Sequence, residues 1–303
     1  MTNDLYSKKP LAFIEGIPIF SARDDYIRNY EHIAEDHIKS VMESGLNPFM
    51  QPQQIQESEL QTSKVIREFV QSNASILDAG IGLGTVVRGL KNFKCYGVDI
   101  AMPYLKIAKS HGLNVSMAKL EELPYNDRFF DAIIACDVLE HVFGLDLVIT
   151  QFSRVLKSGG FLIVRVPNEE CLDSYLTNDQ SYSHSHVRTF SLNSLRLYIE
   201  KCFGFQYIDH RNVGYFFNSF YQIKYPAPFV HSKIRNILLD LFNKQPKLLK
   251  NPAFSSINKL LVTTTEELVD SLVFIRDYHP DIYKTIAPEL IKPLELIVIF
   301  RKP

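Results

Sequence analysis

The sequence predicts an α/β fold in which helices cover both faces of a mostly parallel sheet, and two observations carry this prediction. From residue 75 onward, short apolar runs alternate with amphipathic stretches, as strands and helices do in right-handed βαβ units. A glycine-rich run at residues 79–84 lies where the first of these strands passes into the first helix. Ligands of doubly wound sheets bind at the carboxyl ends of the strands, so we expect the functional site at that edge.

The segment ahead of the sheet is predicted to be helical. Apolar side chains recur at helical spacing over residues 26–41 and again over residues 65–69. A polar, glutamine-rich stretch at residues 50–59 separates the two and is predicted to be a linker.

The alternating region gives the remaining elements in order. Gly112 is predicted to end one helix, because glycine tolerates the left-handed conformation of a helix stop. Gly159 and Gly160 are predicted to end another. The predicted strands are 75–78, 94–99, 114–118, 130–136, 161–166, 205–210 and 294–301, and the predicted helices are 85–90, 102–111, 145–156 and 194–203.

Composition bounds the class of protein. The chain of 303 residues has 46% hydrophobic residues and a formal net charge of -1, which argues against a surface that binds nucleic acid throughout. Its four cysteines lie far apart, so no disulfide framework or zinc-ligand spacing is recognised. No signal peptide is recognised, and no uncharged stretch approaches the length of about 20 residues that a membrane span needs. We therefore predict a cytoplasmic protein.

The glycine-rich run is the first feature with chemical content. Glycines at positions 80, 82 and 84 leave this turn without side chains, so its backbone can approach a ligand closely. Their spacing fails the G-x-G-x-x-G pattern of dinucleotide sites, and no G-K-S/T follows as in a P-loop. Instead, Asp78 directly precedes the glycines, and Asp99 ends the next strand 21 residues later. A carboxylate at that second position can accept both hydrogen bonds of a ribose diol.

With these features the sequence resembles the class I S-adenosylmethionine-dependent methyltransferases, in particular their bacterial small-molecule and glycan branch. The resemblance runs from about residue 77 to about residue 205. It implies a Rossmann-like, doubly wound, mostly parallel sheet of seven strands with an antiparallel last strand, N-terminal helices and a helical insertion before that strand, 294–301. The matching motifs are the acid and glycines at 78–84, the ribose-binding acid Asp99, F-D at 130–131, L-E-H-V at 139–142 and R-V-L-K-S-G-G at 154–160.

The resemblance also implies S-adenosylmethionine as cofactor, S-adenosylhomocysteine as product, and a set of contacts. One position departs from the family, because Lys119 follows Ala118 where an aspartate often binds the adenine amino group. Adenine is then expected to meet backbone groups near Lys119 and Leu120. Core packing is the alternative for Tyr30, and a solvated loop acid is the alternative for Asp137. The expected contacts are Asp78, Gly80, Ile81, Gly82, Gly84, Asp99, Ile100, Lys119, Leu120, Cys136, Asp137, Val138, His141 and, from the N-terminal helix, Tyr30.

Catalytic candidates come from the loop after the fifth strand. Methyl transfer to a hydroxyl needs an in-line approach and a base for the hydroxyl proton, for which histidine is the natural choice. We predict His186 as the base, His184 as a second catalytic residue, and Arg188 as a contact to an anion or a sugar hydroxyl. Structural hydrogen bonds within the loop are the alternative. Two histidines spaced i and i+2 on a strand would point the same way and permit metal binding, but no third ligand is recognised, and no metal is predicted.

The chain is predicted to have four parts: an N-terminal segment and helical lid (1–60), a cofactor-binding core (61–214), a helical insertion (215–290) and the last core strand (291–303). Residues 215–259 carry seven basic residues and one acid, a charge of +6, so the rest of the chain sums to -7. The insertion is predicted to bind the acceptor or to face a membrane through its basic side. A helix packed on its own domain is the alternative.

These features predict an S-adenosylmethionine-dependent methyltransferase (EC 2.1.1) that acts on oxygen of a small metabolite or a sugar-containing acceptor, including a lipid- or phosphate-linked one. Nucleic-acid or protein methylation is one alternative, and a non-catalytic cofactor-binding or scaffold protein is another. The expected partner is a small molecule or glycan and not a nucleic acid. The only membrane contact expected is peripheral, through residues 215–259.

Overall fold

A single mixed sheet organises the described part of the chain. The computed structural model describes residues 5–44, 47, 52–170, 172, 175, 182–215, 280–281 and 293–303. Its strands are β1 (Ala12–Ile14), β2 (Ile17–Ile19), β3 (Ser75–Ala79), β4 (Lys94–Asp99), β5 (Asn114–Met117), β6 (Phe130–Cys136), β7 (Leu156–Pro167), β8 (Gln206–Tyr215) and β9 (Pro293–Arg301). Its helices are α1 (Asp25–Ser44), α2 (Pro52–Phe69), α3 (Thr85–Arg88), α4 (Met102–Ser110), α5 (Leu145–Val155) and α6 (Leu192–Arg196), with a 3-10 turn at Leu120–Glu122 and a π-helical turn at Leu197–Cys202.

The central strands are parallel, and the last strand reverses direction. Within the described residues the strand order is β1-β2-β5-β4-β3-β6-β7-β9-β8. Strand β3 pairs in parallel with β4 and β6, which places Leu77 between Tyr96 and Ile133. Strand β9 runs antiparallel to β7, with Val298 opposite Val164. The predicted doubly wound, mostly parallel sheet with an antiparallel last strand is thus confirmed, and the carboxyl ends of β3, β4 and β6 meet at one edge.

Both faces of this sheet are buried. Ile76 and Ile134 belong to one apolar cluster, whereas Leu77 and Ile133 belong to the other. All four side chains have no solvent exposure. Strands covered on both faces are expected to be continuous apolar runs, which explains why they stand out in the sequence.

The sheet has two strands more than the seven predicted. Strands β1 and β2 form an antiparallel hairpin, and β2 joins the sheet in parallel with β5 through Ile19 opposite Met117. Glu15 and Gly16 form the turn between them, both with positive φ, as tight hairpin turns require. Each strand has three residues, too few for a periodic pattern to be recognised.

Two local predictions are wrong. The glutamine-rich stretch forms the first turns of α2 rather than a linker. The helix begins at Pro52, and the missing N–H of this proline costs no hydrogen bond because the first N–H groups of a helix have no partner within it. Gly159 and Gly160 do not end a helix, because α5 ends at Val155 and β7 starts at the next residue. Glycine is needed at 160 because a Cβ there would lie 2.9 Å from two backbone carbonyl oxygens.

The chain divides into two compact units, residues 1–213 with 294–303 and residues 214–293. The predictions for the insertion, including its basic face, fall almost entirely outside the described residues. Among the described residues, no helix is both long and apolar enough to cross a membrane.

Candidate active site

The glycine turn after β3 forms an open cradle at the carboxyl edge of the sheet. Gly80, Gly82 and Gly84 all have positive φ, of 81°, 51° and 74°, a conformation that other residues rarely adopt. The amides of Gly80 and Ile81 both donate to Val98 O, which fixes the turn on β4. A Cβ added at Gly80 would lie 2.7 Å from a methyl of Val138, whereas one added at Gly82 would meet nothing within 4 Å. The turn is therefore packed at its base and open at Gly82.

Asp99, at the end of β4, is held by backbone amides on both oxygens. Its Oδ2 accepts a hydrogen bond from Gly82 N and its Oδ1 accepts one from Ala101 N, each at 2.9 Å. Burial raises the pKa of Asp99, and these amides oppose that shift. Each carboxylate oxygen has a second lone pair, so the fixed carboxylate can still accept hydrogen bonds from a ligand. Ile100 follows directly and is partly buried beside the core.

Asp78 is the buried acid of this edge. It is 3% exposed, and burial raises its pKa to about 7, while the charge of Arg165 acts in the opposite direction. An acid with such a pKa changes charge near neutral pH, so a cation bound beside it would favour its ionised form.

A buried ion cluster lies beneath the end of β6. Arg165 donates to both oxygens of Asp137 and, at 3.1 Å, to Thr62 Oγ1. Its Nε also lies 3.7 Å from Glu295 Oε2, on β9. Asp137 itself has a positive φ of 52°. The carboxylate of Asp137, which is predicted to contact a ligand, is therefore already paired with Arg165. The neighbouring Cys136 is a partly buried free thiol.

Sequence reasoning missed Arg165 and Glu295 as members of this ion cluster. The available signal was one charged side chain inside an apolar run of each of two strands, Arg165 within 161–166 and Glu295 within 294–300. Burial raises the pKa of Glu295 to about 7, with Asp137 adding to the shift and Arg165 opposing it. Such residues are rarely buried without a charged partner.

The position that departs from the family pattern has a local structural role. The ammonium of Lys119 pairs with Asp24, which also accepts a hydrogen bond from Ile27 N at the start of α1. The amide of Lys119 donates to Ser21 Oγ at 3.0 Å. Leu120 is buried at the start of the 3-10 turn. The amide of Lys119 is therefore already engaged within the protein. Its predicted role in adenine recognition remains a prediction.

Helix α1 contacts the loops that carry the predicted catalytic residues. Asn29 bonds the backbone of Ser183 and His184, at 2.8 and 2.9 Å. The hydroxyl of Tyr30 donates to Ser185 O at 3.3 Å, and its ring lies edge-on to His141. The structure thus places Tyr30 beside the histidine loop, and its predicted contact with the cofactor stays a prediction.

His184 and His186 do not point the same way. The His184 ring stacks on Tyr26 at 5.5 Å between centroids and lies 4.8 Å from Phe143. The His186 ring instead lies 4.5 Å from His141. The expectation of parallel side chains is wrong because residues 183–187 form a loop and not a strand.

His186 is held by an acid that sequence reasoning missed. Its Nδ1 pairs with Glu170 Oε2, and Glu170 Oε1 accepts a 2.8 Å hydrogen bond from Tyr175. With Nδ1 engaged in this way, Nε2 is the ring nitrogen that keeps no hydrogen-bond partner among the described residues. Glu170 lies in an irregular stretch just after β7, and no periodic pattern marks it.

Glu140 is a further residue that sequence reasoning missed. It is 1% exposed, and neither of its carboxylate oxygens has a hydrogen-bond partner among the described residues. One donor atom each of Glu140, His141 and His186 lies within 4.8 Å of the others. Burial raises the pKa of Glu140, with Asp137 contributing, whereas burial and His186 lower the pKa of His141 to about 3. The available signal was the L-E-H-V motif at residues 139–142, but the motif alone does not indicate what its glutamate does.

His141 belongs to the segment between β6 and α5 and not to the helix. It lies in a turn after β6, and α5 starts later, at Leu145. Arg188 fastens this turn, since its guanidinium donates to Leu139 O and Phe143 O, each at 3.1 Å. The amide of Val187 adds a third bond, to Glu140 O at 3.0 Å. The turn after β6 and the histidine loop are therefore joined by their backbones.

Comparisons with known proteins identify relatives of this architecture. The family model described as a methyltransferase domain matches residues 77–164. An uncharacterized protein of Methanocaldococcus jannaschii is 30% identical over 179 residues, which are 58% of this chain and 73% of that protein. The tRNA (carboxymethyluridine(34)-5-O)-methyltransferase of Arabidopsis thaliana is 38% identical over 114 residues, which are 36% of this chain and 28% of that protein. The chain thus spans most of the first relative and under a third of the second.

A solved structure shares the fold of this chain. It is the complex between the Haloferax volcanii Trm112 methyltransferase activator and the putative methyltransferase, whose matching chain superposes with a TM-score of 0.53. The match covers 93% of this chain and 100% of that one at 15% identity. At that identity the likeness shows the fold alone.

Proposed function

The chain belongs to the class I S-adenosylmethionine-dependent methyltransferases, and on that premise we propose that it methylates a hydroxyl oxygen of a small-metabolite or sugar-containing acceptor. S-adenosylmethionine is its cofactor, and S-adenosylhomocysteine is the product. The observation that carries the oxygen assignment is the pairing of His186 Nδ1 with Glu170, at the same edge of the sheet as the glycine cradle. An oxygen acceptor needs a residue that can take its proton, and an imidazole oriented by a carboxylate does so.

The residues at the edge fit the cofactor. The backbone of Gly82 is uncovered, with no atom within 4 Å of a Cβ built there. Asp99 keeps free lone pairs that can accept the ribose hydroxyls, and the positive φ of Gly80 and Gly84 gives the turn its shape. When bound, the cofactor supplies a methyl group on a sulfonium sulfur, which becomes a neutral thioether as the group leaves.

The chain's own part in the reaction is positioning and proton removal. Glu170 holds the proton of the neutral imidazole on Nδ1, so Nε2 of His186 can accept the proton of the acceptor hydroxyl. The proton passes to Nε2 as the new O–C bond forms, and Glu170 stabilises the imidazolium. Tyr175 keeps Glu170 in place through its 2.8 Å hydrogen bond.

His184 and Arg188 have supporting roles in this proposal. The His184 ring, held against Tyr26 and Phe143, would form an aromatic wall for the acceptor. Two of the five N–H groups of Arg188 are used on backbone carbonyls, which leaves others for an anion or a sugar hydroxyl. The basic segment 215–259 remains proposed as an acceptor-binding or peripheral membrane surface.

Methylation of a nucleic acid is the second candidate. It is supported by the relative from Arabidopsis thaliana, whose name gives a tRNA modification. That relative gives no support to the prediction that the partner is not a nucleic acid. The near-neutral charge of the chain, -1, favours the small acceptor.

A methyl-transfer assay separates these candidates. The protein is incubated with S-adenosylmethionine tritiated in its methyl group, together with either bulk tRNA or a panel of phenols, catechols and nucleotide sugars. We expect label in the acid-soluble products of the panel, and a loss of about 100-fold or more in rate for His186→Asn. Label in acid-precipitable tRNA alone would favour the second candidate. Calorimetric binding of S-adenosylmethionine without transfer to either mixture would count against both.

A further inference from the structure

The buried carboxylate of Glu140 has no role in the proton transfer described above. It is 1% exposed, and both of its oxygens are without a hydrogen-bond partner among the described residues. Such groups are costly, because the carboxylate loses its hydration and gains nothing in return. Buried carboxylates are normally paired with a cation or coordinate a metal ion. A cation bound at Glu140 would account for its position.

We propose that Glu140, His141 and His186 bind one divalent transition-metal ion. One donor atom from each lies within 4.8 Å of the other two. Ligand bonds to such ions are about 2.0–2.2 Å long, so two ligands of one ion lie at most about 4.4 Å apart. Small side-chain rotations are therefore enough to bring all three atoms onto one ion.

The surroundings of the two imidazoles prepare them as ligands. His186 Nδ1 pairs with Glu170, and His141 Nδ1 faces Ser185 O at 3.4 Å. Metal-binding histidines usually donate their other ring N–H to a carboxylate or a backbone carbonyl, which orients the ring and fixes the tautomer. In each ring this arrangement leaves Nε2 for the ion.

The donor set indicates the class of ion. Two imidazoles and one carboxylate suit Zn²⁺, Fe²⁺, Mn²⁺ or Co²⁺ better than Ca²⁺ or Mg²⁺, which prefer oxygen ligands. Catalytic sites with three protein ligands keep further positions open. One cation would also compensate the charge of the unpaired carboxylate of Glu140.

The consequence for catalysis rests on the proposed function, whereas metal binding itself does not. An open position on the ion would hold the acceptor hydroxyl beside the cofactor and lower its pKa. In the metal-bound protein His186 would serve as a ligand, and the hydroxyl proton would leave to solvent. Proton uptake by its Nε2, as described above, would then apply to the metal-free protein alone. His184 stands outside this site, since its ring contacts Tyr26 and Phe143.

The test is metal binding by the 303-residue chain after removal of metals with a chelator. Co²⁺ is titrated while its visible absorption is recorded, and Zn²⁺ binding is measured by equilibrium dialysis. We expect one ion per chain. Glu140→Gln and His186→Asn should each weaken binding by more than about 100-fold, and Glu170→Gln should weaken it by about 10–100-fold. His184→Asn, in the same loop, is the matched control and should stay within about threefold of the wild type.

Two results would overturn the metal site: no stoichiometric binding of Co²⁺ or Zn²⁺ by the wild type, or equal weakening by His184→Asn and His186→Asn. Circular dichroism and S-adenosylmethionine binding verify folding of each variant. Should Glu140→Gln not fold, His186→Asn decides, because its side chain is 16% exposed and tolerates polar replacement better. The assay needs no acceptor, so a protein that binds Co²⁺ but transfers no methyl group to hydroxyl compounds would refute the proposed function alone.

Discussion

The two halves of the candidate site are assembled in different ways. The cofactor edge, residues 78–99, is built from contacts within one βαβ unit, such as the bond from Gly82 N to Asp99, 17 residues away. The histidine cluster, which we define as Glu140, His141 and His186, needs two separate segments, the turn after β6 and the loop after β7. The loop that carries His186 is also held to α1, by the hydrogen bond from the Tyr30 hydroxyl to Ser185 O, between residues 155 positions apart. A contiguous motif therefore encodes the first half, and tertiary packing assembles the second.

The two halves also use different chemistry. The cofactor edge presents backbone amides and fixed carboxylates, which bind by shape and hydrogen bonding. The histidine cluster presents imidazoles and a buried carboxylate that has no hydrogen-bond partner in the described part of the chain. These groups can move a proton or hold a cation. A substitution in one half should therefore leave the other half working, unless it removes their common support.

Arg165 is that common support, so its replacement is expected to damage both halves. Arg165→Met removes the partner of Asp137 and Glu295 and leaves the buried Glu295 and the partly buried Asp137 uncompensated. We expect the free energy of unfolding to fall by about 3–5 kcal/mol, measured by urea denaturation. Arg211→Met is the matched control, because Arg211 pairs with the half-exposed Glu68 and should cost less than about 1 kcal/mol. Equal losses for both variants would show that the buried cluster is not the support.

Asp99→Ala is expected to disable the cofactor edge alone. The substitution removes the carboxylate that fixes Gly82 and that we propose accepts the ribose hydroxyls. Two hydrogen bonds to a charged group are worth about 1.5–3 kcal/mol each, so the Kd for S-adenosylmethionine should rise by about 100-fold or more. Calorimetry measures this, with the exposed Asp146→Ala as control. Unchanged affinity for Asp99→Ala would contradict the ribose assignment.

The pH dependence of cofactor binding tests Asp78 within the same half. Its pKa in the folded protein is raised to about 7, so it takes up a proton as the pH falls below that value. A cationic ligand favours the ionised acid, so affinity for S-adenosylmethionine should rise with pH from about 5.5 to 7, by up to about tenfold per unit. Above about 7.7 the amino group of the cofactor itself titrates. Asp78→Asn should flatten this slope, and a wild type with no slope would refute the role.

Lys119→Met is expected to have the smallest effect. Lys119 pairs with the half-exposed Asp24, and pairs of this kind contribute about 0–1 kcal/mol. We expect the Kd for S-adenosylmethionine to stay within about threefold, because adenine is expected to meet backbone groups near Lys119 and not its ammonium. A tenfold loss in calorimetry would mean that the ammonium of Lys119 takes part in cofactor recognition.

The cofactor edge could be predicted from the sequence because its elements are local. Asp78, the glycines and Asp99 stand at fixed spacings, and the strands around them are apolar runs that both faces of the sheet bury. The same reasoning failed where an element was short or irregular. The hairpin β1–β2 has three residues per strand. The start of α2 resembles a polar linker because residues 52–59, apart from Ile55, are all polar or proline.

The histidine cluster could be predicted only in part. His186 was a candidate, yet its partners depend on how the turn after β6 meets the loop after β7. The bond from Val187 N to Glu140 O fixes that meeting, and no sequence period encodes it. For the same reason Glu170 was missed, and His184 was expected to share a direction that its loop conformation does not give.

The most direct test of the division between the two halves is the affinity of His186→Asn for S-adenosylmethionine, measured by calorimetry beside the wild type. His186 contacts His141, Glu170 and Tyr175, and none of them belongs to the glycine cradle. We predict a Kd within about threefold of the wild type, although methyl transfer falls by about 100-fold or more. A Kd weakened as strongly as that of Asp99→Ala would contradict the account, because the two halves would then form one binding site.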